Sequence, residues 1–131
     1  TPELIHQLKL ARQTATDMAL RYREADFLVA IDDFWDSFSQ LQEYATLLNQ
    51  PNITPIILKP ELSVVLARNH ARNPPSEFRE HMDDGIRMIY ADLEKQESTL
   101  KAQGWLIFDT SNDTIESSVT RIITLLETST S

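Results

Sequence analysis

The stretch that decides the fold is residues 56–72, Ile-Ile-Leu-Lys-Pro-Glu-Leu-Ser-Val-Val-Leu-Ala-Arg-Asn-His-Ala-Arg, where a short apolar run passes into an amphipathic helix. The apolar run, which extends back to Ile53, has the length of a buried strand. Pro60 opens the helix, because proline is favoured at the first helical position. Pro55 cannot donate a hydrogen bond to a neighbouring strand, so we expect it at the start of the strand.

Two other apolar runs have a similar length and no alternation with polar residues. They are Phe27–Ile31, which ends in Asp32-Asp33, and Trp105–Phe108, which ends in Asp109-Thr110-Ser111. Continuous apolar runs are typical of strands covered on both faces, as in a parallel sheet. With helices between them, the three runs predict an α/β fold of three layers, a parallel sheet flanked by amphipathic helices.

Helical periodicity fills most of the remaining chain. Thr1 and Pro2 predict the start of a first helix. Its apolar stripe recurs every three or four residues, at Leu4, Leu8, Ala11, Ala15, Met18 and Tyr22. Further helices are expected from Ser37 to Leu48 with Phe38 on the buried face, from Pro60 to Arg72, from Glu77 to Gln103 before Gly104, and from Asn112 or Asp113 to residue 127. Each stripe needs an apolar surface to cover it.

Length and composition predict one α/β domain over residues 1–131. Of the 131 residues, 41% are hydrophobic, which is enough to bury a core. The chain begins at Thr1 inside a helical pattern, as a piece of a longer protein would. Residues 128–131 form a polar tail that we expect to fray.

Charge and composition argue against several functional classes. Lys and Arg number 12 against 20 Asp and Glu, a net charge of -8 that disfavours nucleic acid, whose binding depends on neutralising phosphates. The absence of cysteine excludes disulfides, thiolate metal sites and cysteine nucleophiles. No apolar run reaches the roughly 18 residues of a membrane span, so we expect a cytoplasmic protein without membrane contact. The two glycines, Gly85 and Gly104, are too few for a glycine-rich phosphate loop.

The carboxyl ends of the expected strands carry the first candidate site residues, because ligands bind there in open parallel sheets. Asp32 and Asp33 can hold Mg²⁺ through water, orient a substrate hydroxyl or accept its proton. The alternative is a solvated turn or an acidic helix start. Asp109-Thr110-Ser111 also has a plainer interpretation, a capped turn from strand to helix.

Arginines form the second candidate group. Arg68 and Arg72 are four residues apart and share a helix face, and Arg79 follows the double proline Pro74-Pro75. Guanidinium groups neutralise the oxygens of a transferred phosphoryl group, so the region of about 68–80 is interpreted as a mobile, lid-like segment. Ordinary surface salt bridges explain the same residues equally well.

Taken in order, these pieces resemble the carboxyl-terminal two-thirds of a P-loop kinase. The resemblance runs over about residues 10–127 and is to small phosphotransferases of the shikimate, gluconate and chloramphenicol kinase type. It implies that Asp32 or Asp33 is the Walker B-like acid near Mg²⁺ and substrate, with Asp32 as the metal ligand. It also implies that Arg68 and Arg72, with Arg79 as a third, bind ATP phosphates in a lid, and that Asp109 and Thr110 line the adenine.

The main departure of the chain from that family is the missing Walker A loop, and a second strand of the family is also missing. Nothing matches the Walker A loop, Gly-x-x-x-x-Gly-Lys-Ser/Thr, or the family's second strand with its substrate-binding acid. The resemblance therefore implies a lost amino-terminal segment of roughly 40 to 60 residues, an altered sheet, or a degenerate domain.

Two functions follow as hypotheses. The first is an ATP-dependent phosphotransferase acting on the hydroxyl of a small-molecule substrate with ATP and Mg²⁺, inactive as this chain for want of the loop. The alternative is a non-catalytic module that docks a protein partner through an exposed apolar surface.

Overall fold

The chain folds as two compact units, residues 1–53 and the residues from Thr54 onward, which we call unit 1 and unit 2. The computed structural model describes residues 1–36 and 39–129. The described chain is mostly helical, at 65%.

Unit 1 is built on one long helix. Helix α1 spans Pro2–Glu24, and the Thr1 hydroxyl caps it by accepting a hydrogen bond from the Leu4 amide at 3.2 Å, which confirms the expected start. Two single-turn helices follow, α2 (Gln40–Glu43) and α3 (Ala45–Leu48), and both contact α1. The expected start of a helix at Ser37, with Phe38 on its buried face, lies outside the described residues.

The prediction of a strand at Phe27–Ile31 is wrong. This run is irregular, and Phe27 and Leu28 are 61% and 93% exposed. An apolar sequence forms a strand only where a neighbouring strand takes up its backbone hydrogen bonds, and the described part of unit 1 contains no strand.

The expected apolar stripe of α1 is also not its buried face. The buried residues are Arg12, Thr16 and Ala19, whereas Leu4, Met18 and Tyr22 are 54%, 54% and 51% exposed. At 100° per residue the two faces lie about 80° apart on the helix. The helix is turned so that polar residues, rather than the stripe, meet α2 and α3.

Unit 2 contains the only sheet among the described residues, a pair of parallel strands. The elements in order are β1 (Ile56–Leu58), α4 (Leu62–Arg72), α5 (Glu77–Ala102), β2 (Leu106–Phe108) and α6 (Ile115–Ser129). Ile57 pairs with Ile107, and α4 packs against α5 in the crossover between the strands. The predicted three-layer α/β fold with a three-stranded parallel sheet is therefore wrong, because only two of the three apolar runs are strands.

Local signals place the ends of these elements well. Pro55 precedes β1 and accepts a hydrogen bond from the Leu106 amide at 3.0 Å through its carbonyl, as expected of a residue without an N–H. The Ser76 hydroxyl caps α5 by accepting from the Arg79 amide at 3.1 Å. Gly104 follows α5 with φ of 96°, a left-handed value that favours glycine.

Helix α6 begins later than expected. Its first residue is Ile115, and the Thr114 hydroxyl accepts from the Ser117 amide at 3.1 Å. Thr114, rather than Asn112 or Asp113, therefore caps the helix. Asp113 instead accepts hydrogen bonds from Ser118 and Arg121.

Candidate functional site

The carboxyl ends of β1 and β2 lie side by side and carry the strongest group of polar residues in unit 2. The register places Leu58 opposite Phe108, so Lys59 and Asp109 leave the sheet at the same edge. The Lys59 amide donates to the Phe108 carbonyl at 2.7 Å and extends the pairing by one residue. We call this region, from Lys59 to Glu61 and from Asp109 to Ser111, the carboxyl edge.

The turn after β2 is held by its own first side chain. Asp109 accepts hydrogen bonds from the amide of Ser111 at 2.9 Å and from its hydroxyl. These hydrogen bonds lower the pKa of Asp109 below its ordinary value, because they stabilise the carboxylate. The Ser111 hydroxyl in turn accepts from the Glu61 amide at 2.7 Å and joins the turn to the start of α4. These hydrogen bonds hold the turn in one conformation and connect it to the residue before α4.

Tyr90 of α5 closes one side of the carboxyl edge. Its hydroxyl donates to the Pro60 carbonyl at 2.5 Å, and the Lys59 ammonium lies 5.9 Å from its ring centre. Burial raises the pKa of Tyr90, and the charge of Asp109 raises it further, while Arg68 opposes the change. Tyr90 therefore stays a hydrogen-bond donor at neutral pH.

Arg121 of α6 contacts the end of β2 and the turn that follows it. Its Nη1 lies 2.5 Å from Asp113 Oδ2 and donates to the Asp109 carbonyl at 3.3 Å, and its guanidinium stacks 5.1 Å from the Phe108 ring centre. The surface beside it is only slightly concave and encloses no cavity; it is lined by Leu58, Phe108, Thr110, Asp113, Ser118, Arg121 and Ile122.

Tyr90 and Arg121 are not among the residues predicted from the sequence. Tyr90 lies four residues after Ile86, at the edge of the apolar stripe of α5, where a half-buried tyrosine needs a partner for its hydroxyl. Arg121 lies roughly 150° from the apolar stripe of α6, so no local pattern singles it out.

The three lid arginines lie on two consecutive helices, α4 and α5. Arg68 and Arg72 both lie on α4, as expected, but the helix carries Arg72 one turn further from β1. Arg68 is the one whose charge acts on Tyr90. Arg79 begins α5, where its Nη1 donates to the Asn73 carbonyl at 3.4 Å.

Asp33 serves a structural purpose in unit 1. It accepts from Arg12 Nε at 2.8 Å and from the Tyr44 hydroxyl at 2.9 Å. Arg12 is only 2% exposed, and Asp36 and Glu43 also bind it, at 2.5 and 3.1 Å. We call Arg12 with these three carboxylates the arginine cluster. Asp32, the neighbour in sequence, is exposed.

The arginine cluster fixes the charges of its members. Burial alone would raise the pKa of Asp33, but hydrogen bonds from Arg12 and Tyr44 outweigh it and hold that pKa below its ordinary value. Burial and the bond to Asp33 together raise the pKa of Tyr44 to about 12. Within residues 1–36 and 39–129, two buried side-chain atoms have no hydrogen-bond partner, Arg12 Nη2 and Thr16 Oγ1.

Residues 1–36 and 39–129 contain no group of three or more His, Cys, Asp or Glu residues placed to hold a metal ion. Within the same residues, every helix is too short or too polar to cross a membrane.

Comparison of the chain with family models, curated proteins and solved structures finds no match. Functional assignment therefore depends on the residues themselves.

Proposed function

We propose that this chain supplies the nucleotide-binding edge of a cytoplasmic, ATP-dependent phosphotransferase that acts on the hydroxyl of a small molecule. The observation that carries the proposal is the carboxyl edge of unit 2. There, two parallel strands end together, the turn after β2 is hydrogen-bonded to the Glu61 amide, Tyr90 donates to the Pro60 carbonyl, and the Lys59 ammonium lies 5.9 Å from the Tyr90 ring centre. This is the place where ligands bind in parallel sheets.

The roles of the residues follow from their positions. Asp109 and Thr110 contact the base from the turn after β2, as the resemblance implies. Lys59 and Arg68 supply positive charge to the phosphates from β1 and α4. ATP brings the phosphoryl group and Mg²⁺ neutralises charge on it when both are bound. Asp33 has no catalytic role in this proposal because Arg12 and Tyr44 occupy its carboxylate.

The chain by itself should not turn over ATP. Phosphoryl transfer depends on backbone amides and a lysine that cradle the β- and γ-phosphates, and two isolated glycines cannot build that loop. The phosphate loop of the proposed enzyme therefore comes from a different polypeptide segment, and this chain binds ATP only weakly.

The test is an NMR titration of the ¹⁵N-labelled chain with Mg·ATP. We expect saturable shifts at millimolar ATP that concentrate at Lys59 and Asp109–Ser111. Lys59→Gln should weaken binding about fivefold, roughly the value of one charge contact. Lys101→Gln is the matched control, because both lysines lie 3.5 Å from Glu97 but only Lys59 lies at the carboxyl edge. No shifts up to about 10 mM ATP, or equal effects of the two variants, would contradict the proposal.

A second candidate, a protein-interaction module, is favoured by the exposed apolar surface. The chain exposes 9666 Å². Two compact globules of the sizes of its units would expose roughly 8,500 Å². Leu28 and Ile115 are 93% and 85% exposed. This function expects strong binding of the dye 8-anilinonaphthalene-1-sulfonate to the folded chain, judged by near-ultraviolet circular dichroism, and no response to ATP. Weak dye binding would remove it.

A further inference from the structure

The apolar stripe of α1 is symmetric about its centre in the size of its side chains. Its six residues form three pairs that are equidistant from position 13: Leu4 with Tyr22, Leu8 with Met18, and Ala11 with Ala15. Large side chains therefore stand at both ends and small ones in the middle. Leu4 and Tyr22 are 18 positions apart, which is five full turns, so the stripe runs straight along one face for about 27 Å.

Four of the six stripe residues are exposed in the described part of unit 1, while Leu8 and Ala15 are half-buried. Leu4, Met18 and Tyr22 each keep more than half of their surface exposed, while Ala11 is exposed and small. Phe27 lengthens the apolar surface at the Tyr22 end, because the two rings meet edge to face at 5.7 Å. Small residues at the centre let a second helix approach closely, and the large ones then interlock on either side.

We propose that α1 is a homodimerisation helix that pairs with α1 of a second copy in the antiparallel direction. In this arrangement Leu4 meets Tyr22 of the other copy, Leu8 meets Met18, and Ala11 meets Ala15. The same patch then serves both copies, which is the requirement of a two-fold interface. The inference gives the protein-interaction function its partner, and it does not depend on nucleotide binding.

Charge selects the antiparallel direction. Glu3 and Arg21 are 18 positions apart, so they lie on the same flank of α1 at opposite ends. An antiparallel pair places Glu3 of each copy near Arg21 of the other, whereas a two-fold parallel pair places the two copies of each residue on opposite flanks of the dimer, where these charges do not pair. Antiparallel pairing also sets opposite ends of the two helix dipoles side by side.

The available area fits a weak dimer. The half-exposed stripe and Phe27 together offer about 500 Å² on each copy, or on the order of 1,000 Å² in total. That area reaches the lower limit for a specific interface. We therefore expect dissociation in the micromolar range.

Sedimentation equilibrium of the full chain tests the dimer. The mass should rise from 15.0 kDa towards twice that value as concentration increases. Met18→Glu, which places a charge in the stripe, should weaken association at least about tenfold. Leu10→Glu is the matched control, because Leu10 is 49% exposed but lies on the other side of α1, and it should leave association unchanged. A mass of 15.0 kDa at all concentrations, or equal effects of the two variants, overturns the proposal.

Engineered cysteines test the direction, since the chain has no cysteine of its own. A mixture of Leu4→Cys and Tyr22→Cys chains should form a disulfide between unlike chains, while each variant alone should not. A disulfide between two Leu4→Cys chains would show parallel pairing and overturn the antiparallel arrangement. Circular dichroism of each variant confirms that α1 is intact. The dimer proposal and the ATP-site proposal are tested independently, because the Mg·ATP titration follows residues of unit 2.

Discussion

Unit 1 and unit 2 bury different mixtures of side chains. Among the described residues of unit 1, Arg12, Thr16 and Gln40 are buried and polar or charged, and Ala19 is buried and apolar. Among those of unit 2, Ile57, Leu93 and Leu100 of β1 and α5 are buried and apolar, and the buried polar residues are Asn69 and Thr110. Apolar packing therefore has the larger share in unit 2, and a buried charge with its ion pairs distinguishes unit 1.

This difference determines which kind of substitution should destabilise each unit. An apolar core loses stability in proportion to the atoms removed. A buried ion pair behaves differently, because removing one partner leaves the other charge buried without compensation. Unit 1 should therefore be sensitive to single charge changes, and unit 2 to changes in side-chain volume.

Replacement of Arg12 is expected to have the largest effect. Arg12→Met removes the guanidinium that pairs with Asp33, Asp36 and Glu43, and we expect a loss of about 3–5 kcal/mol in the stability of unit 1. Chemical unfolding followed by Trp35 fluorescence, in a Trp105→Phe background, measures it. Arg21→Met, at an exposed position of the same helix, is the control and should change stability by less than about 0.5 kcal/mol. Equal losses would show that the arginine cluster does not hold unit 1 together.

Truncation of Leu100 should give the next largest effect. Leu100 is 1% exposed, so Leu100→Ala leaves a cavity and should cost about 3 kcal/mol. The matched control is Met88→Ala, which lies on the same helix but at a position 60% exposed. The free energy of unfolding, measured by Trp105 fluorescence in a Trp35→Phe background, tests this prediction. A cost below about 1 kcal/mol would mean that α5 is not part of a packed core.

Acid should weaken unit 1 through Asp33. The pKa of Asp33 is held low in the folded chain, so its contribution to stability is complete above the unfolded value of about 3.9. That contribution is lost as the pH falls through the folded pKa. Stability of unit 1 measured between pH 6 and 3 should therefore fall at the acid end, and Asp33→Asn should flatten the fall.

Asp17→Asn is the control for this experiment, because Asp17 is exposed on α1 outside the arginine cluster. An unchanged acid profile in the Asp33→Asn variant would rule out the ion pair as the source of the pH dependence.

The smallest changes in stability are expected at the two glycines of unit 2. The two substitutions should change stability in opposite directions. Gly85 lies inside α5 with open space around it, so Gly85→Ala should stabilise unit 2 by about 1 kcal/mol. Gly104 has φ of 96°, so Gly104→Ala should destabilise it despite equally open space. Thermal unfolding of both variants provides the comparison. The same sign in both would contradict the assigned ends of α5.

The sequence was sufficient where structure is determined locally. The hydroxyl of Ser76, the left-handed conformation of Gly104 and the proline at position 55 act on their immediate neighbours, so the ends of α5 and the start of β1 could be predicted. The presence of β1 and β2 as strands also followed from their two apolar runs, whereas their pairing is seen only in the structure. Thr110 could be placed at the carboxyl edge for the same reason.

The sequence was insufficient where pairing is distant. Arg12 meets carboxylates 21 to 31 positions away, and nothing in the local pattern of α1 shows that its buried face would be polar. Residues 27–31 have the composition of a strand, but composition does not supply the neighbour that a strand needs. Asp33 was therefore assigned a catalytic role in the sequence analysis although its carboxylate is bound by Arg12 and Tyr44.

The most direct test of the proposed function is photolabelling of the intact chain with 8-azido-ATP, followed by tryptic peptide mapping. Trypsin cuts after Lys101 and Arg121, so the turn after β2 lies in one peptide, residues 102–121. We predict that the label is found in this peptide and that excess ATP removes it. Label confined to residues 1–53, or label that ATP does not displace, would contradict the assignment of the carboxyl edge as a nucleotide site.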